Sequence, residues 1–304
     1  MSKFIISGFY DEATSNFTEQ LKLVRELKEE YICPRSISGK NISGFTLESF
    51  NSDILPALKE YGVKISTIGS PYGKVGLNDE EGFQTQLNKL TETVKICQAI
   101  GCKYIRMFSF FVTSDYEGAK PEVIRKLKLM LEKVEGTDVI LLHENEKGIY
   151  GNAPDRCIAL YKEINHPQFK LCYDASNYVQ CGFDPWKAYE DTREFTVEYH
   201  MKDCGAYKVE VPLGLGEGRI ADILADLNKR GYEGFLTLEP HTYKYAKGKI
   251  ALYIMPLVGL LLKGWRPTFK YIDKALGKKP FEKVSAREIF IIQYNNLVEM
   301  LKKL

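Results

Sequence analysis

Eight short apolar runs, separated by longer stretches that are mostly of helical periodicity, leave this chain few folds to choose from. The runs are FIIS (4–7), YICPR (31–35), VKISTI (63–68), KYIRMF (103–108), DVILLHE (138–144), FKLCYD (169–174), FTVEYH (195–200) and FLTLE (235–239). Between them lie patterns such as FTEQLKLVRELKEE (17–30), TQLNKLTETVKICQAIG (85–101) and PEVIRKLKLMLEKVEG (121–136). Apolar residues recurring every three or four positions mark helices, and short β-branched and aromatic runs mark strands. Gly101, Gly136 and Gly231 close three of the helical stretches, as a helix C-cap does. Strands alternating with helices build βαβ units around a parallel sheet. Eight of them predict an α/β fold of the (β/α)8 type, a TIM barrel. A doubly wound open sheet is the competing arrangement, but no GxGxxG follows the first strand.

Barrels of this size form one domain, and the 304 residues are read as one, 1–304. The chain carries 42 basic and 40 acidic residues, a net charge of +2, and no field of that size selects nucleic acid or an anionic membrane. The seven cysteines form no CxxC pair and fit reduced thiols in a cytoplasmic protein. The N-terminus MSKFIISGFYDEA lacks the apolar core of a signal peptide and reads as a first strand.

After the eighth strand a barrel needs one closing helix. SAREIFIIQYNNLVEMLKKL (285–304) supplies it, with Ser285 as N-cap. Residues 243–284 are then an insertion in the last βα loop, which opens on the catalytic face. This insertion contains IALYIMPLVGLLL (250–262), the most apolar stretch of the chain. It is too short to cross a bilayer and is interrupted by Pro256 and Gly259. It is expected to pack as a lid over the barrel mouth or against a second copy of the chain, and no membrane partner is expected.

In a barrel the reactive groups stand where strands end and βα loops begin. Four successive strands end in a potential ligand: Glu144 in HENE, Asp174 in LCYD, His200 in VEYH and Glu239 in TLEP. Side chains alternate along a strand, so Glu144 shares a face with Leu142 while His143 points the other way, and His200 shares a face with Glu198. Three carboxylates crowded at one mouth repel one another, and a divalent cation removes that cost. Mostly oxygen donors with one imidazole suit Mn²⁺ first, with Mg²⁺, Co²⁺ or Zn²⁺ also compatible.

HENEKGIYG, YDASN, YHMKD with GLGEG soon after, and GYEGFLTLEPH together resemble the sugar phosphate isomerase/epimerase family, the xylose isomerase-like TIM barrels. The likeness spans about residues 1–242. It implies one metal held by Glu144, Asp174, His200 and Glu239, and it makes the two glutamates the acid/base pair of a proton transfer next to a carbonyl. The chain departs from the family at Asn177, where many members carry a titrating His, and at Glu146, where others carry His. Arg106, Asn177 and Lys202 are the residues expected to bind a small sugar, sugar phosphate or polyol. Arg35 is a further candidate cation at the end of strand two, Lys74 after GSPYG reads better as part of a polar turn, and His241 is expected to support Glu239. GLGEG (214–218) offers backbone amides to a phosphate but reads better as a turn. A dehydratase acting on a cyclic polyol and a non-catalytic sugar-binding barrel are the competing functions. A His-rich three-zinc endonuclease site is not supported by a chain with four histidines.

Overall fold

The computed structural model describes residues 3–205, 207–241, 245, 266–279 and 282–304. Its barrel strands are β1 (Lys3–Gly8), β2 (Tyr31–Ile32), β3 (Thr67–Gly69), β4 (Tyr104–Met107), β5 (Ile140–Glu144), β6 (Phe169–Asp174), β7 (Thr196–Met201) and β8 (Glu233–Leu238). Seven of them form one parallel sheet in the order β1-β8-β7-β6-β5-β4-β3. The short β2 closes the ring. The Cys33 amide donates to the Gly8 carbonyl at 2.9 Å on one side, and the amides of Ser66 and Gly69 donate to the carbonyls of Ile32 and Pro34 at 3.0 Å on the other. The fold is the predicted TIM barrel. Strand β2 is shorter than YICPR (31–35) because Pro34 has no amide to offer a ladder.

Both faces of the sheet are covered, which is why its strands read as near-continuous apolar runs. Ile105, Leu141, Leu142, Phe169 and Leu236 are fully buried. Each such side chain contributes roughly 1.5–3 kcal/mol by leaving water. Local signals set the helix ends. Asn16 accepts the Glu19 amide at 3.1 Å, and Asp79 accepts the Gly82 amide at 2.9 Å. Gly101 ends the helix Glu80–Ile100 with φ 68°, a conformation that favours glycine. Gly231 (φ 68°) takes the same conformation just past the helix Ile220–Lys229, whereas Gly136 (φ 75°) closes the turn that follows the helix Tyr116–Leu131, which ends earlier than expected, capped at Glu132.

The closing helix is Ala286–Leu301, and Ser285 caps it as expected. Its hydroxyl accepts the Glu288 amide at 3.1 Å while Glu288 accepts the Ser285 amide at 2.8 Å. A second small core joins Tyr245, Phe269 and Ile272 to Val284, Ile289 and Ile292, so the helix Arg266–Leu276 packs on the closing helix. The apolar run 250–262, and with it the expectation of a lid or interface, lies outside the described residues. No described helix is long and apolar enough to cross a membrane. All seven cysteines are free.

Candidate active site

Glu144 and Asp174 are the last residues of β5 and β6, His200 is the penultimate residue of β7, and Glu239 directly follows β8. Parallel register aligns them: His200 sits opposite Asp174 on one side and Thr237 on the other. The four side chains meet at the mouth, with one potential ligand atom of each within 4.8 Å of all the others. All four are buried. His200 Nδ1 lies 3.1 Å from Glu239 Oε2 and 3.4 Å from Glu144 Oε1.

Cations from neighbouring strands frame this cluster. Arg106, on β4, donates to Glu144 Oε2 at 2.9 Å and to the Ser70 carbonyl at 3.2 Å. Its guanidinium lies over the rings of Phe9 and Phe108. Lys202 Nζ stands 2.8 Å from Asp174 Oδ2 and 3.6 Å from Glu239 Oε2. Arg35 reaches Glu239 Oε1 at 3.3 Å and pairs with Asp11 at 3.0 Å. His241 Nε2 lies 3.2 Å from the same Glu239 oxygen, the supporting place foreseen for it.

These neighbours set the carboxyl acidities. Burial pushes Glu144 up, but His200 and Arg106 outweigh it against the repulsion of Glu239, and its pKa falls to about 2. Burial likewise raises Glu239, yet Lys202 and His241 hold it well below the usual range. Asp174 goes the other way. Burial, with repulsion from Glu144 and Glu239, lifts it to about 6 despite the attraction of Lys202. One carboxyl of the three is thus driven towards its neutral form, as crowding without enough positive charge requires.

That frustration fits a cation. Three carboxylates and one imidazole, brought this close and shielded from water, are a hard, mostly oxygen donor set for a divalent ion. Asn177 turns inward beside them. Its amide nitrogen donates to Glu144 Oε1 at 3.2 Å and to the Asn145 carbonyl at 2.8 Å, and its backbone amide donates to Asp174 Oδ1 at 2.8 Å. Glu146 does not join the cluster; it pairs with Lys74 at 3.0 Å. His143 points to the opposite face, as alternation requires, and its Nε2 meets the Ser109 hydroxyl at 2.9 Å. A Cβ at Gly151 would come within 2.3 Å of the His143 ring, so the glycine that ends HENEKGIYG makes room for it. His166 accepts the Gln168 amide at 3.2 Å in a turn.

GLGEG resolves as an internal cradle. The amides of Gly214, Gly216 and Gly218 each donate to the Asp203 carboxylate at 2.9 Å, as does that of Cys204. Asp203 therefore ties this loop down one residue after Lys202. Its role was not evident in the sequence, and neither were those of Asn145, which exchanges two 2.9 Å hydrogen bonds with the Asp174 backbone, or of Asp11 and Glu12. Asp11 and Glu12 carried the same signal as the other acids, a carboxylate just after a strand, but sit in a short 3₁₀ turn.

The charged groups gather at the carboxyl ends of the strands, the face at which TIM-barrel enzymes carry their active sites. The chain belongs to the xylose isomerase-like TIM barrel family, which matches residues 34–255. No curated protein matches it in sequence. Solved structures share the fold. The IOLI protein with a bound zinc atom superposes with a TM-score of 0.71 at 14% identity, covering 98% of each chain. The 3-keto-D-glucoside 4-epimerase of E. coli gives 0.63 at 14%, covering 79% of this chain and 92% of its own. The probable 3-DHS dehydratase AsbF of Bacillus anthracis gives 0.62 at 16%, covering 79% and 92%.

Proposed function

We propose that this protein is a divalent-metal-dependent isomerase or epimerase of a sugar, sugar phosphate or related polyol, working by proton transfer next to a carbonyl. The observation that carries the reading is the buried Glu144–Asp174–His200–Glu239 cluster, its ligand atoms within 4.8 Å of one another at the mouth of a barrel of this family. These four residues would hold the ion, with Mn²⁺ preferred for the oxygen-rich set and Mg²⁺, Co²⁺ or Zn²⁺ compatible. A bound divalent ion supplies positive charge where negative charge develops on the substrate oxygens. Glu144 and Glu239, three strands apart around the mouth, are assigned the proton transfers, one removing and the other returning the proton. His200 and Arg106 hold Glu144 in its ionised form, the form a general base needs. Lys202, between Asp174 and Glu239, is assigned to a substrate oxygen, and Asn177, beside Glu144, to a hydroxyl that it can bind without titrating. Seven free thiols favour a reducing compartment, and we assign the protein to the cytoplasm.

The test is elemental analysis of purified protein, followed by incubation of the metal-loaded protein in D₂O with ketoses, their phosphates and inosose-type polyols. Deuterium appearing on the carbon beside the carbonyl supports the reading. Net loss of water instead assigns a dehydratase, the activity of one fold relative. Absence of metal, or bound metal with neither exchange nor product, overturns the enzymatic reading in favour of a sugar-binding barrel.

A further inference from the structure

Beneath the cluster, inside the barrel, lies a carboxylate that the proposed reaction does not use. Glu198 is fully buried on β7, two residues before His200 and on the same face. Both of its oxygens are clamped: Thr237 Oγ1 donates to Oε1 and Thr67 Oγ1 to Oε2, each at 2.5 Å. Two hydroxyl donors from strands on different sides of the ring leave this carboxylate no freedom to turn away. Oε1 faces His200 Nε2 at 3.8 Å. Among the described residues that buried nitrogen meets no oxygen or nitrogen acceptor within hydrogen-bond distance, and the Cys172 thiol also stands near the ring. The other ring nitrogen, Nδ1, points up between Glu144 and Glu239. Phe9 packs against the His200 ring edge-on, with centroids 5.4 Å apart, and restricts its tilt.

An imidazole that presents one nitrogen to a ligand commonly donates its other N–H to a carboxylate, which fixes the tautomer and raises the basicity of the ligating nitrogen. Glu198 is oriented for this by two threonines and has no other evident task. A competing acceptor is the Cys172 thiol, the cross-strand partner of Glu198, and sulfur accepts hydrogen bonds weakly. At 3.8 Å the contact is longer than a hydrogen bond.

We infer that Glu198 is a positioning residue for His200: its carboxylate accepts a hydrogen bond from Nε2–H, one that shortens when Nδ1 carries a metal ion, and so makes Nδ1 the ligating atom. The inference rests on the metal site proposed above. Glu198 itself touches neither ion nor substrate, and it acts through the ring.

The experiment uses the full chain with Glu198→Gln, which keeps the shape and removes the charge. Mn²⁺ affinity is measured by competition with a chelating dye. Nε2–H resonances are recorded on protein labelled with ¹⁵N-histidine, metal-free and loaded with Mg²⁺. Wild type is expected to show a slowly exchanging Nε2–H signal that moves downfield on loading. Glu198→Gln is expected to lose that shift and to bind Mn²⁺ about ten- to a hundredfold more weakly, with the metal-free protein still folded by circular dichroism. Unchanged affinity together with an unchanged Nε2–H signal overturns the inference. If Glu198→Gln does not fold, Thr237→Val, which removes one clamp, is expected to weaken Mn²⁺ binding in the same direction, and no change there overturns it equally. If wild type binds no ion at all, the metal reading fails separately. The positioning role is then decided by whether a protected Nε2–H in the metal-free protein disappears in the variant.

Discussion

Arg106 Nη1 donates to Glu144 Oε2 at 2.9 Å, and the two side chains are only 5% and 1% exposed. An arginine from one barrel strand thus neutralises a carboxylate at the end of the next. Buried pairs of this kind stabilise modestly as pairs but cost heavily when halved, because the survivor is left charged and dry. Arg106→Leu should therefore destabilise the metal-free protein by about 3–5 kcal/mol. Arg106→Leu combined with Glu144→Leu should recover much of that loss. Urea unfolding of the two single variants and the double variant checks this; strictly additive losses would show that the pair is not coupled.

Glu144→Gln and Glu239→Gln each keep one oxygen donor and remove the titrating group. Either substitution should lower turnover at least about a hundredfold, the scale of general acid–base catalysis, with most of the metal retained. Steady-state kinetics on the substrate found by deuterium exchange, with metal content measured on the same samples, makes the comparison. Turnover near that of wild type with metal bound would move the proton transfer to another group, such as Lys202, whose amine stands 3.6 Å from Glu239.

These residues were visible in the sequence because buried parallel strands are apolar almost throughout, so a polar residue at the end of one stands out. The run VILLHE could be split by alternation alone, and the structure turns His143 outward to Ser109 and Glu144 inward to Arg106. Less legible were groups whose placement depends on how strands stagger around the ring. Thr67, Glu198 and Thr237 lie on β3, β7 and β8, and only closure of the barrel brings them together. Asp11 and Glu12 follow β1 but sit in a 3₁₀ turn, where the two-residue period no longer tells direction. GLGEG reads better as a turn than as a phosphate cradle, but what anchors the turn was not legible. The answer lay in Asp203, whose carboxylate sits some eleven to fifteen positions upstream of the glycine amides that bind it.

Asp203 accepts four backbone amides, a count an amide side chain cannot match, since half of its polar end donates. Asp203→Asn should cost about 1.5–3 kcal/mol, the worth of a hydrogen bond to a charged group, and should loosen the loop beside Lys202. Gly216→Ala should act through the same contact, because its Cβ would fall 2.2 Å from Asp203 Oδ1. Chemical denaturation gives the first quantity and amide hydrogen exchange across 203–218 the second. Full protection of that segment in Asp203→Asn would assign the loop's order to other contacts.

Removal of a ligand tests the cluster most directly. Asp174→Asn retains the helix cap to the Asn177 amide but loses the charge, and His200→Ala removes the only imidazole of the set. Each should lose most of its bound divalent ion, while circular dichroism remains that of a folded α/β protein, because barrel stability resides in the core and at the opposite face. The two variants should differ in stability without metal. In wild type, burial and the neighbouring glutamates push the Asp174 carboxyl up to about 6 against the pull of Lys202, so its charge is poorly accommodated. Asp174→Asn relieves that repulsion and strips Lys202 of its 2.8 Å partner, two effects of opposite sign. His200→Ala only removes a bridge between Glu144 and Glu239 and opens a cavity against Phe9, so it should be the less stable of the two. Elemental analysis and thermal melts of chelator-treated protein read both expectations. Full metal occupancy in both variants would remove these residues from the ligand set.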